Sequence, residues 1–161
     1  MNFKYILPNL TARAHCDIPC GIYDPTAAKV AAMTVLRMVN QLSEIEPPIG
    51  DDAEDAHALN HYHNDIVRRI QTKENHAQIC KNELLILWTD YFKPEHLEKY
   101  PDLHDQFWTA TKLASQNKQD VSEDKAKQLV EAVDEIAQIF YTIKNDPKRY
   151  DAYKEITNKL F

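Results

Sequence analysis

A chain of 161 residues, 43% hydrophobic and 27% charged, has the size and composition of one globular domain, able to bury about 70% of the surface its unfolded form exposes. Its 19 basic and 25 acidic residues leave a net charge of -6, with no block of Lys and Arg to follow a phosphate backbone, so nucleic acid is not an expected partner. No apolar run approaches the roughly 18 residues of a membrane span, so no membrane partner is expected either.

The first segment, Met1 to Ala14, ends Ala12-Arg13-Ala14 and is interrupted by Lys4, Pro8 and Asn9. It lacks the apolar centre of a secretory signal and reads as a propeptide, residues 1–14, removed by a protease acting before His15. Next comes His15-Cys16-Asp17-Ile18-Pro19-Cys20-Gly21-Ile22-Tyr23, which packs an imidazole, two thiols and a rigid turn into nine residues. Cleavage before His15 would free its amine. That amine, the Cys16 backbone nitrogen and the thiolates of Cys16 and Cys20 then form a planar set of two nitrogens and two sulfurs. Such a plane suits Ni(II), and the His15 ring can serve as a fifth, axial donor once the metal is oxidised. Pro19 restricts the loop between the thiols, and Gly21 accepts backbone angles that other residues resist. Three cysteines do not make a disulfide framework, and a reducing, cytoplasmic compartment would keep Cys16 and Cys20 available to metal.

The rest of the chain reads as helices. Only two glycines occur, and neither strand alternation nor hairpin dipeptides appear. Asp24 as cap and Pro25 as first residue open a helix whose Ala28, Ala31, Ala32, Val35, Met38, Val39 and Leu42 keep helical spacing until Glu46-Pro47-Pro48. Asp51-Asp52 opens a second pattern through Leu59, Tyr62, Ile66, Ile70, Ala77, Cys80, Leu84 and Leu87, its apolar seam broken at Lys73 to His76. Pro94 and Pro101 bracket a turn before a third helix carrying Leu103, Phe107, Ala110 and Ala114, and Asn117 to Asp120 reads as a loop. A fourth helix from about Val121 aligns Ala126, Leu129, Val133, Ile136, Ala137, Phe140 and Ile143, with Glu123 and Asp124 at its positive end. Past Asn145-Asp146-Pro147, residues Tyr150, Tyr153, Ile156 and Leu160 suggest a short appended helix suited to a neighbouring subunit. The expectation is a single all-α domain over 15–161: an up-down four-helix bundle with an irregular amino-terminal hook and a carboxyl-terminal extension over 145–161.

The hook, read with Leu87-Trp88-Thr89-Asp90-Tyr91-Phe92-Lys93-Pro94 and the following Glu98-Lys99-Tyr100-Pro101 and Leu103-His104, resembles the nickel superoxide dismutases. Their hook pattern, His-Cys-Asp-x-Pro-Cys-Gly-x-Tyr, is matched at every fixed position, and the second segment resembles their mid-chain signature. The likeness covers roughly His15 to Lys144. It implies one nickel ion per subunit, held by His15, Cys16 and Cys20, and disproportionation of superoxide to oxygen and hydrogen peroxide through a Ni(II)/Ni(III) cycle. It also implies a homohexamer, roles for Asp17 and Tyr23 in ordering the loop and its access channel, and Tyr91 as guard of the face where superoxide arrives.

Lys93 is the sequence's best candidate for drawing the anion towards a chain of net negative charge. In some members of that family a Glu on the first helix and an Arg on the second orient the histidine ring. Counting from the two signatures places Ala31 and His76 there, so His76, Glu74 or a water is expected to substitute. The same donors would serve a nickel or copper carrier, or a thiol switch between Cys16 and Cys20; a carrier has no evident need of the aromatic-lysine signature. Cys80 on an apolar seam reads as core, and His57, His61 and His63 as a solvated helix face.

Overall fold

The computed structural model describes residues 21–53 and 55–160, with positions 52 and 53 given by backbone alone. Four long helices form the bundle: α1 (Thr26–Ser43), α2 (Ala56–Ile86), α4 (Leu103–Gln119) and α5 (Glu123–Lys144). A six-residue helix, α3 (Pro94–Lys99), leads into α4, and α6 (Pro147–Thr157) follows α5; no strand occurs among the described residues. Contacts run α1 to α2, α2 to α4, α4 to α5 and α5 back to α1, closing an up-down-up-down ring.

Local signals set the boundaries. The Asp24 carboxylate accepts the Thr26 backbone N–H at 2.9 Å, and Pro25 already has helical angles, so the expected start of α1 holds. Before α2, Gly50–Ala53 winds into a tight 3-10 turn rather than starting the helix at Asp51. The cap is instead Asp55, whose carboxylate accepts the His57 N–H at 3.0 Å. The Ser122 hydroxyl accepts the Lys125 N–H at 3.3 Å to start α5, and Asn145, at φ 53, ends it in the left-handed conformation.

The core consists of the aligned apolar positions: Ala28, Val35, Ala77, Cys80, Leu84, Leu103, Ala110, Leu129, Val133, Ile136 and Phe140 are all fully buried. One expectation needs correction. The break at Lys73 to His76 interrupts neither α2 nor its burial: Lys73 is 2% exposed, and α2 runs through it for 31 residues, about 46 Å. Its ammonium reaches the carboxyl end of α4, donating to the carbonyls of Asn117, Lys118 (3.3 Å) and Asp120 (2.7 Å). A cation there satisfies carbonyls that a helix end leaves unpaired and answers the negative pole of the dipole. Desolvation lowers the Lys73 pKa, against the raising effect of Glu74 and Asp120. For the same reason α4 extends to Gln119 across residues expected to be loop, with Asn117 donating from its side chain to the carbonyls of Leu113 and Lys125 at 2.9 and 3.0 Å.

The appended helix expected past Pro147 forms. α6 packs on its own chain, burying Tyr153 and Thr157 against α1 and α5, while Ile156 stays exposed. The Tyr153 hydroxyl donates to Asp134 at 2.6 Å, and the other oxygen of that carboxylate holds the ammonium of Lys29, a lysine as buried as Lys73. One carboxylate on α5 thereby joins α1 to α6. No helix among the described residues is long and apolar enough to cross a membrane.

Candidate metal centre and substrate face

His15, Cys16, Asp17 and Cys20 lie outside the described residues, as do residues 1–14; the description begins at Gly21, where the hook joins the bundle. Gly21 has φ 97, in the region that favours glycine, so the chain turns sharply as it leaves the second thiol position. Two residues on, Tyr23 is buried in the bundle.

The mid-chain signature is brought to the same place by an irregularity in α2. From Leu87 to Tyr91 the helix widens into a π turn, closed by the Phe92 N–H donating to the Leu87 carbonyl at 3.1 Å. One extra residue in the turn rotates the side chains beyond it, and such widenings often sit at functional sites. Here it buries Leu87 and Phe92 in the core and places the Tyr91 ring 6.0 Å from that of Tyr23, centroid to centroid. Tyr91 packs on Phe140 of α5 at 4.5 Å and stacks on His96 of α3 at 5.9 Å. Burial raises the Tyr91 pKa above its ordinary 10.0; its hydroxyl, protonated at neutral pH in either case, can donate to an anion.

Lys93, the lysine expected to attract superoxide, is exposed at the start of α3, where its backbone N–H donates to His96 Nδ1 at 3.1 Å. The ammonium that reaches the tyrosine pair is that of Lys144, at the end of α5. It stands 5.6 Å from the Tyr91 ring centroid and 4.9 Å from that of Phe140, and donates to the Tyr23 carbonyl at 3.4 Å. His96, Phe140 and Lys144 thus join the face although sequence reasoning gave them no role there. The only signal for Lys144 was its position at the end of the family likeness.

The remaining candidates fall away from this face. Cys80 is fully buried, and burial, reinforced by Glu83, pushes its thiol up to about 12, so it stays a protonated core residue. Among the described residues no group of three His, Cys, Asp or Glu could hold a metal; His57, His61 and His63 are exposed on α2. Ala31 is buried, and His76 donates from Nδ1 to the Thr72 carbonyl at 2.9 Å, leaving Nε2 as the nitrogen able to accept. Glu74 is exposed.

Fold and site together define an all-helical bundle protein that gathers tyrosines and a lysine beside the start of its first helix. The family model described as nickel-containing superoxide dismutase matches residues 10–144, and the chain belongs to that family. It is 31% identical over 141 residues to the nickel superoxide dismutase of Streptomyces coelicolor, covering 88% of this chain and 96% of that protein. The enzyme of Streptomyces seoulensis is 32% identical over the same shares. Among solved structures, nickel superoxide dismutase with its nickel ligation in the oxidised state superposes with a TM-score of 0.66 at 32% identity, covering 81% of this chain and 99% of that one. The native enzyme gives 0.64 at 30%. The all-α bundle and the family resemblance expected from the sequence are borne out.

Proposed function

We propose that the chain disproportionates superoxide through one nickel ion held by His15, Cys16 and Cys20 after removal of residues 1–14. The observation that carries the reading is the convergence of the hook's Tyr23 and the mid-chain Tyr91 to 6.0 Å at the point where the hook leaves the bundle. The donor set fits the metal: two thiolates, an amine and a deprotonated amide stabilise Ni(III) in a way that aquated nickel cannot achieve. When bound, nickel supplies the one-electron exchange by which two superoxide anions and two protons become oxygen and hydrogen peroxide.

The chain's own groups do the rest. Cys16 and Cys20 must lose their protons to ligate, so assembly weakens as pH falls. Asp17 helps order the loop, and buried Tyr23 pins it to the bundle. The Tyr91 hydroxyl, protonated at neutral pH as any tyrosine is, donates to the incoming anion or holds a water without ligating the metal. Lys144, and Lys93 further out, give local positive potential on a molecule whose net charge of -6 repels superoxide. The ring of His15 takes its support from His76, Glu74 or a water, since Ala31 offers no polar group.

Assembly as a homohexamer, processing by a dedicated protease and a cytoplasmic location belong to the same proposal. The hexamer is what the sequence resemblance implies, the Ala12-Arg13-Ala14 ending suits cleavage before His15, and thiols that must stay reduced favour the cytoplasm. Intact-mass analysis of the natively produced protein tests the core of it. A mass beginning at His15 plus one nickel is expected. An active enzyme that retains residues 1–14 would overturn it, because the His15 nitrogen would then be an amide without the basicity of a terminal amine.

A further inference from the structure

α6 lies beyond the residues 10–144 matched by the family model, yet one of its side chains reaches the root of the hook. Asp24, four positions after Cys20, is the focus. Its carboxylate accepts the Thr26 N–H at 2.9 Å, the Thr26 hydroxyl, the Tyr141 hydroxyl at 3.0 Å and the Arg149 guanidinium at 2.9 Å. Tyr141 belongs to α5 and is buried; Arg149 belongs to α6. α6 is itself fixed by the Tyr153 bond to Asp134 and by a ring cluster in which Tyr150 and Tyr153 stack at 6.0 Å and both pack on Tyr141. Two carboxylates, Asp24 and Asp134, therefore tie the carboxyl-terminal helix to the first part of α1, Asp24 through Arg149 and Asp134 through Tyr153 and Lys29.

We infer that α6 is a clamp on the hook, in which Arg149 is a positioning residue that acts through Asp24 to fix the angle at which the metal-binding segment leaves the bundle. A charge-assisted bond to a partly buried carboxylate is directional, and Asp24 has little freedom once three elements hold it. The bond also lies on the short path between the thiols and the body of the protein, where small changes in backbone direction are passed to every donor. α6 forms one wall of a cleft of about 710 Å³ beside this root, opposite Ile86, Leu87 and Asp90 of α2 and its π turn. Loss of the clamp leaves the hook's root room to move into that space.

The inference rests on reading residues 15–20 as the nickel hook, and its test separates the two. Amide hydrogen exchange is followed in the metal-free full chain for the parent, Arg149→Gln, Arg149→Lys and Tyr153→Phe. Nickel release to a chelator is then timed in the loaded proteins. Arg149→Gln is expected to raise exchange at Ile22 to Thr26 by about tenfold with the α4 amides unchanged, and to speed nickel release. Arg149→Lys should restore part of both, and Tyr153→Phe should give the same pattern more weakly. Unchanged exchange at Ile22 to Thr26, an equal rise throughout α4, or unchanged nickel release from Arg149→Gln would each overturn the positioning role. Because exchange is read without metal, it decides the clamp even if the parent takes up no nickel, a result that would sink the hook reading alone.

Discussion

The two ends of the bundle are built differently. At the hook end, where α1 begins and α2 and α5 finish, the interior is aromatic and hydroxyl-bearing: Tyr23, Tyr91, Phe92, Phe107, Phe140, Tyr141 and Tyr153 pack edge to face or tilted, and Tyr141 and Tyr153 each donate to a carboxylate. At the far end the core is small and aliphatic, with Val35, Val39, Ala77 and Ala126 in close contact, and it is closed by the Lys73 ammonium under the end of α4. Aliphatic packing brings helices close and needs no polar partners. Rings with polar tips hold a chain segment by several directional bonds at once. The difference assigns the far end to stability and the hook end to positioning, and substitutions at the two ends should separate along that line.

The largest separation is expected within the hook. Cys16→Ser or Cys20→Ser should reduce superoxide consumption to the uncatalysed rate while the far-ultraviolet circular dichroism keeps its helical amplitude, since the helices begin at Thr26 and bury their own apolar faces. Retained turnover in either variant would refute thiolate tuning of the metal.

The second test uses the proton that the buried core keeps. Cys80 titrates at 9.0 when free and is pushed up to about 12 by burial and Glu83. Between those values the folded chain holds a proton that the unfolded chain has lost, so stability is complete below pH 9 and falls as pH rises. The slope is about 1.4 kcal/mol per unit, up to about 4 kcal/mol by pH 12. Tyr141, raised from 10.0 to about 12 chiefly by burial, adds to the same alkaline limb. Denaturant midpoints measured from pH 8 to 12 should fall, and Cys80→Ala should flatten the early part of the curve. An identical alkaline limb in Cys80→Ala would show that the thiol is not its source.

At the far end, Lys73→Met should lower unfolding free energy by about 2 kcal/mol, because the buried Asn117 carbonyl and the partly buried carbonyls of Lys118 and Asp120 lose a charged donor. Activity per folded, nickel-loaded molecule should not change. Urea unfolding read beside specific activity checks both, and a fall in specific activity would break the proposed division between the ends.

Lys73 also shows where sequence reading stops. Apolar periodicity was sufficient for α1, α4, α5 and the aligned half of α2, because burial there needs only a face of one kind. A buried lysine contradicts that rule locally, and its justification lies in the carbonyls of Asn117, Lys118 and Asp120, which no local pattern connects to it. The same holds for α6, whose tyrosines read as an outward face until Asp134 is known to stand opposite.

The site was legible in the same uneven way. Tyr23 and Tyr91 were visible because each sits in a dense local motif, whereas Lys144 sits in none. Its place beside the two tyrosines comes from α5 running parallel to α2, so that both finish at the hook end and α5 ends beside the π turn.

Lys144→Met gives the smallest and sharpest of the effects. Methionine keeps the aliphatic stem over Phe140 and Tyr91, so stability should change little, while the positive charge beside Tyr23 and Tyr91 is lost. An anion approaching a negatively charged protein depends on such a local charge, and its attraction is screened over about 10 Å at 0.1 M salt. The variant should therefore lose about tenfold in kcat/KM at low ionic strength, lose less at high salt, and show a flatter salt dependence than the parent. Pulse-radiolysis rates across a salt series read this directly, with Lys93→Met alongside. A parent-like salt slope in Lys144→Met together with a flattened one in Lys93→Met would move the steering charge back to the exposed lysine at the start of α3.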